Sequence, residues 1–360
     1  MMAATRRGLF AGGAGLAGLA LVPERAREAR LRLGLNENPW GPSPTVGPAI
    51  ENAARRVNRY VEDEATAFTA RVAAFEGVAP EQVVLGEVLG PLGAHLALAA
   101  GSASRFVHSA PGYAGFTDPA RAVGGAIDPV PLNARLENDL PALLARGQGA
   151  TALFVVNPHN PSGTVIDADA FHAFLREASR RTLVVVDEAY LEFAGDYGRR
   201  TAAPLVAEGA NLVVFRTFAK AYGLAGLQLG YALAPVDLAA PLKARGVGAP
   251  HSLDQLSLAA GTAALADQDH VAAVALAVSR ERSLWRADLE RRGWAQTESA
   301  TNFIFFKAPR PQAEVARHLA AQGIDVGRAH APLDDWTRIS IGLPEENVRV
   351  RAALDTLQTS

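Results

Sequence analysis

Three short apolar runs constrain this chain more than any other feature: Thr151–Val156 (TALFVV), Thr182–Asp187 (TLVVVD) and Asn211–Thr217 (NLVVFRT). Each is apolar nearly throughout instead of alternating, the pattern of a strand covered on both faces. Between the first two, DADAFHAFLREASRR sets Ala170, Phe171, Phe174, Leu175 and Ala178 at helical spacing. Strand, helix, strand in that order predicts right-handed crossovers in a mainly parallel sheet, and so an α/β fold. Upstream, QVVLGEV reads as a strand, GPLGAHLALAAG as the helix after it, RFVHS as another strand and AIDPVPL as a short extended segment. Such sheets bind ligands beyond the carboxyl ends of their strands.

After Pro235 the pattern changes. A long helical region from about Leu253 to Arg291 precedes NFIFF, a helix around Glu314–Ala321, IDV, TRISIG and a last helix, which predicts a smaller α+β domain. The expected division is an N-terminal arm over 24–45, a large domain over 46–240 and the small domain over 241–360. Lys plus Arg number 35 against 37 Asp plus Glu, a net charge of −2, so no basic field draws the chain to nucleic acid. A small-molecule partner is expected. The absence of cysteine excludes disulfides, thiolate zinc ligands and a cysteine nucleophile, and no metal site is expected.

Residues 1–23 stand apart. Thr5-Arg6-Arg7-Gly8-Leu9-Phe10 is followed by AGGAGLAGLALV, ending at Val22. This resembles a twin-arginine export signal and implies a periplasmic or exported protein. The apolar stretch is shorter than the ~20 residues that span a bilayer, so no stable membrane anchor is expected. No clear A-x-A cleavage site follows it, and a basic extension on a cytoplasmic enzyme is the alternative.

Four segments end or follow predicted strands: NPHNPSG (157–163), DEAY (187–190), RTFAKAYGLAGLQLGY (216–231) and TRISIG (337–342). They supply a carboxylate at the end of a buried strand, a lysine just past another, an amide in a Pro/Gly turn and an arginine in the second domain. A lysine in such a cleft can form a Schiff base, and a carboxylate can keep a pyridine nitrogen protonated so that the ring accepts electrons. Pyridoxal phosphate chemistry requires both.

With LNENPWGPSP (35–44) and RYVED (59–63), these segments resemble the fold-type-I aminotransferases, and within them the histidinol-phosphate aminotransferase-like branch. The resemblance covers nearly everything after residue 23. It implies a large domain binding pyridoxal 5'-phosphate, an amino donor and a 2-oxo acid such as 2-oxoglutarate as substrates, and a homodimer with shared sites. By the same resemblance Lys220 forms the Schiff base and carries the proton, and Asp187 pairs with the pyridine nitrogen. Asn160 and Tyr190 bond the ring's phenolic oxygen, and Tyr113 stacks on the ring. Thr217 and Gln228 fall at the cofactor phosphate, and Tyr60 reaches the phosphate of the neighbouring subunit. Arg338 grips the substrate carboxylate with help from Asn302, Asn36 lies in a substrate-binding motif, and Arg328 is near the place of a second arginine for a distal anion.

The phosphate cup departs from the family pattern. The family has a Gly-Ser-Asp-Glu-like loop, a serine before the lysine and an arginine eight residues after it; here stand GEVLGPLG (86–93), Ala219 and Gln228. The helix start near Gly90–Gly93, Thr217 and the neutral amide of Gln228 remain. An aminotransferase with a rebuilt phosphate site is the expectation. The same Lys, Asp and Tyr set also serves lyases, decarboxylases and cyclising deaminases, and a non-catalytic binding protein on this scaffold is the third reading.

Overall fold

The computed structural model describes residues 30–358. The expected export segment and the first residues of the arm lie outside them. Twelve strands are present among the described residues: β1 (Leu31–Leu33), β2 (Val83–Leu85), β3 (Arg105–Ala110), β4 (Ala126–Pro131), β5 (Ala152–Val156), β6 (Leu183–Asp187), β7 (Leu212–Thr217), β8 (Gly230–Leu233), β9 (Ala295–Gln296), β10 (Phe303–Lys307), β11 (Ile324–Val326) and β12 (Trp336–Ser340). Seven form one sheet in the order β2-β8-β7-β6-β5-β3-β4, in which only β8 runs against the others. This is the expected α/β architecture. The three runs that predicted it become β5, β6 and β7 at the centre, and every residue of these strands is buried.

Helix Ala168–Ala178 joins β5 to β6 and begins at Asp167, whose carboxylate accepts from the backbone N–H groups of Asp169 and Ala170. Its Phe171, Phe174, Leu175 and Ala178 are buried, as the spacing predicted. The long helical region is two helices, Gln255–Ala266 and Gln268–Arg291, separated at Asp267. Asp267 caps the second by accepting from His270 N, so a side-chain acceptor replaces one turn of backbone bonding. Packing does not change at the expected boundary of 240/241: helix Gln255–Ala266 lies against Val46–Ala54 and Glu62–Glu76, on the side of the large sheet.

Beyond it, β10 pairs antiparallel with both β9 and β12. The arm joins this second layer through β1, which pairs in parallel with β11, Leu31 facing Ile324. The chain then crosses to the large sheet. Asn38 Nδ2 donates to Ala221 O at 3.0 Å, and Gly223, at φ +72°, lies so close that a Cβ there would stand 2.6 Å from the backbone of Gly41. The arm therefore lies over the loop that follows β7. Among the described residues no helix is long and apolar enough to cross a membrane.

Candidate active site

A cavity of about 280 Å³ opens beyond the carboxyl ends of β6 and β7, walled on the far side by the arm and by the segment between β11 and β12. Asp187 is the last residue of β6 and Lys220 stands three past the end of β7, so adjacent parallel strands deliver both to one rim. Asn160, Tyr190, Tyr113, Thr217, Asn36, Arg338 and Arg328 line the same space. These residues come from segments as far apart as 36 and 338.

Asp187 is 2% exposed, and its Oδ1 accepts from Ala189 N at 3.0 Å. Burial pushes its carboxyl up to about 7, against the pull of that N–H; Glu87 adds to the rise and the Lys220 cation opposes it. A carboxyl so placed gains most from a cationic partner, as a protonated ring nitrogen would be. Lys220 Nζ donates to Leu35 O at 3.3 Å and lies 5.9 Å from the centre of the Tyr190 ring.

Tyr190 is the hub of a buried hydrogen-bond chain. Its hydroxyl oxygen accepts from Asn36 Nδ2 at 3.0 Å and from Asn160 Nδ2 at 3.2 Å. Both acceptor positions of the phenol are then filled, and its own O–H is left to donate toward the cavity. Arg338 Nη1 donates to Asn160 Oδ1 at 2.6 Å and Nη2 to Gly34 O at 2.8 Å, which fixes the guanidinium plane. Its Nε has no partner, and burial pulls its pKa down. Among the described residues neither Arg338 nor Arg328 carries an ion pair, nor does Lys220, so these two arginines bring the cavity cations with no anion of their own.

Three expected residues lie elsewhere. Asn302 is not on the cavity wall: its Nδ2 donates to Asn36 O at 2.9 Å and Glu37 O at 3.3 Å, so its amide is spent on holding the arm. Gln228, exposed and at φ +48°, faces a neighbouring cavity with Gly86, Glu87, Ser252 and Asp254. Tyr60 is 85% exposed, beside Pro250, His251 and Leu253, and is remote from this chain's own cavity.

Two cavity residues escaped the sequence reading. His330 stands between the two arginines, and burial together with the charges of Arg338 and Arg328 holds it down to about 4, so it is neutral at pH 7. Glu87 follows β2 and precedes helix Leu89–Ala100; its side chain opens into the cavity, and its Oε1 lies 3.5 Å from Thr217 Oγ1. The GEVLG loop had drawn notice only for the hydroxyl it lacks. Arg216 does not replace the missing cation. Strand alternation turns it away from Phe215 and Thr217 into a buried cluster, 2.9 Å from Glu188, 3.7 Å from Glu76 and 3.8 Å from Glu192.

A parallel sheet that presents a lysine and a buried carboxylate at adjacent strand ends, closed by a second layer bearing unpaired arginines, defines a pyridoxal-phosphate-dependent enzyme of the aminotransferase fold. The site fits that cofactor through the amine of Lys220, the carboxyl of Asp187, the phenol of Tyr190 and the amide of Asn160, and Glu87 adds a second carboxyl to the same cavity. The chain belongs to the class I and II aminotransferases, whose family model matches residues 29–353. It is 37% identical to the histidinol-phosphate aminotransferase of Limosilactobacillus fermentum, over 90% of this chain and 89% of that one. It is 31% identical to an aromatic amino acid aminotransferase of Cutibacterium acnes, over 94% and 96%. The crystal structure of the Sinorhizobium meliloti histidinol-phosphate aminotransferase in complex with pyridoxal-5'-phosphate superposes with a TM-score of 0.81 at 32% identity, covering 91% of this chain and 90% of that one. The protein is a pyridoxal-phosphate-dependent transaminase acting on small molecules.

Proposed function

We infer that the enzyme moves an amino group from a donor of the histidinol-phosphate or aromatic amino acid type to a 2-oxo acid such as 2-oxoglutarate. The observation that carries this reading is the pair of cations without anions, Arg338 and Arg328, on one cavity wall. Two unpaired guanidinium groups suit a substrate with two anionic ends, or two substrates that each bring an anion to the same place. Neutral His330 between them adds a hydrogen-bonding ring surface without a third charge.

Pyridoxal phosphate, when bound, supplies a carbonyl carbon for the amine and a ring that accepts the electron pair released at the donor's α-carbon. This chain's residues do the rest. Lys220 Nζ holds the cofactor and carries the proton between donor and cofactor. Asp187 would hold the proton of the ring nitrogen in place, since a buried carboxyl gains most from a cationic partner. Tyr190 O–H, kept free by the two amide donors of Asn36 and Asn160, bonds the ring oxygen. Arg338 binds the substrate anion in a fork already oriented by Asn160 and Gly34, and the arm covers the site against water. Tyr113 would stack on the ring and Thr217 would serve the phosphate end, whereas Gln228 faces the neighbouring cavity.

The exposed Tyr60 supports a homodimer in which this residue completes the partner's site. The Arg6-Arg7 segment supports export by the twin-arginine route, which carries folded, cofactor-loaded proteins. The test of the central reading is a donor screen with 2-oxoglutarate as acceptor, including histidinol phosphate and aromatic amino acids. Formation of glutamate with one of these supports it; release of carbon dioxide or ammonia in place of glutamate would assign the site to a lyase or decarboxylase.

A further inference from the structure

The end of the cavity where the cofactor's phosphate belongs is built from unusual groups. Helix Leu89–Ala100 begins just past Glu87, at Val88, with no side-chain cap and no acidic residue in its first turn. Thr217 contributes a hydroxyl, which also bonds Ala219 N at 3.1 Å. The adjoining cavity, lined by Gly86, Gly226, Gln228, Ser252 and Asp254, presents no lysine or arginine. Into this space projects Glu87, an acid where a phosphate dianion needs donors.

The charges around Glu87 come from every side of the cleft. Lys220 and Thr217 face it from β7 and the loop beyond, Asp187 from β6, and Tyr113 from the loop after β3. Asp254, across the neighbouring cavity, spends its carboxylate on Ser257 N at 2.8 Å. Lys220 is the one cation of this set, and its amine would be committed to the cofactor's carbonyl carbon instead of being free to pair with Glu87. An ionised Glu87 beside a phosphate would then be a like-charge contact with nothing between; a neutral Glu87 is instead a hydroxyl donor at the loop that lacks one.

We propose that Glu87, as a neutral carboxylic acid, is the hydroxyl donor of the phosphate subsite, so that seating the cofactor's phosphate takes up a proton at this residue. The proposal rests on the cofactor reading above. Burial raises the Glu87 carboxyl, with the Lys220 charge and the Thr217 hydroxyl pulling the other way, and the net rise is the direction the proposal needs. Cofactor affinity then contains a factor that weakens tenfold for each pH unit above the titration of Glu87.

The experiment titrates apo-protein with pyridoxal phosphate and, separately, with pyridoxal, which has the ring and aldehyde but no phosphate. Parent, Glu87→Gln and Glu87→Ser are compared from pH 6 to 9 by the absorbance of the bound aldehyde, with proton uptake counted by calorimetry in two buffers. The expected result is that the affinity ratio of each variant over parent for pyridoxal phosphate climbs about tenfold per pH unit in the alkaline range. Parent should also take up close to one more proton than either variant, and pyridoxal should show neither difference. A ratio flat with pH and equal proton counts overturns the proposal, as does an equal effect on pyridoxal, which would place Glu87 at Lys220 instead of the phosphate. Absence of any aldehyde band in all three proteins would remove the cofactor reading itself, an outcome distinct from a flat ratio.

Discussion

Asp187→Asn in the cofactor-free protein should make the native state more resistant to unfolding at pH 8 than at pH 5, measured relative to the parent. The carboxyl is buried and its pKa stands at about 7, against 3.8 for the free side chain. A group whose pKa is raised on folding contributes fully below its unfolded value, and that contribution is lost as pH rises toward the folded one. Asp187 therefore weighs against the folded state by about 2 kcal/mol at pH 5 and about 4 kcal/mol at pH 8. Asparagine keeps an oxygen for Ala189 N and has no charge to bury. Its fixed cost, whatever its size, is the same at both pH values, and Glu87, Glu188 and Glu192 titrate in both proteins, so that only the coupling of Glu87 and Glu188 to Asp187 differs. Urea unfolding of parent and variant at the two pH values should show the difference shifting in the variant's favour by about 2–3 kcal/mol. A shift under about 0.5 kcal/mol would refute the reasoning, because it would mean that the carboxylate is already compensated without cofactor. The same variant should be severely impaired in transamination, so stability and function move in opposite directions at one residue.

Lys220→Ala should abolish turnover while leaving the circular dichroism spectrum near that of the parent, since the side chain's hydrogen bond is a single one, to Leu35 O; near-native activity would dispose of the mechanism. Arg338→Lys removes the planar fork and should raise the KM of the acceptor about tenfold to a hundredfold with the fold intact; an unchanged KM would move anion binding to Arg328. Tyr60→Phe should lower cofactor affinity about tenfold without altering sedimentation, and equal affinity would place the hydroxyl outside any partner's site. Arg6→Lys with Arg7→Lys should abolish periplasmic recovery on cell fractionation, and equal recovery would mean that the segment is no twin-arginine signal.

The parts of the site that belong to single segments were legible in the sequence. Continuous apolar runs announce central strands because both faces are covered, and Asp187, Lys220 and Asn160 stand at or just past their ends, where the sheet geometry puts ligands. Strand β8 was not legible: four residues, Gly230–Leu233, carry no alternation, and their antiparallel pairing follows from the turn after Lys220. Nor could sequence tell that Asn302 would serve the arm, since a side chain's partner across 266 residues is a tertiary fact. Glu87 was overlooked for a similar reason. Its direction depends on where a helix begins relative to β7, and a loop judged by what it lacks does not advertise what it adds.

The arm makes the order of synthesis matter. Asn36 N is bonded to Ser340 Oγ, 304 residues away, and β1 has no sheet partner until β11 exists. On the ribosome the first described residues must wait for nearly the whole chain before Asn36 can turn to Tyr190 and Gly34 to Arg338. A product that stops short of β12 contains Asp187 and Lys220 but has neither Arg338 nor the Ser340 anchor of the arm. Such a fragment could capture an aldehyde without being able to orient a substrate. Tight retention of cofactor under competition by free amines would thus report on completion of the C-terminal layer, and it offers a practical way to separate full-length enzyme from truncated chains.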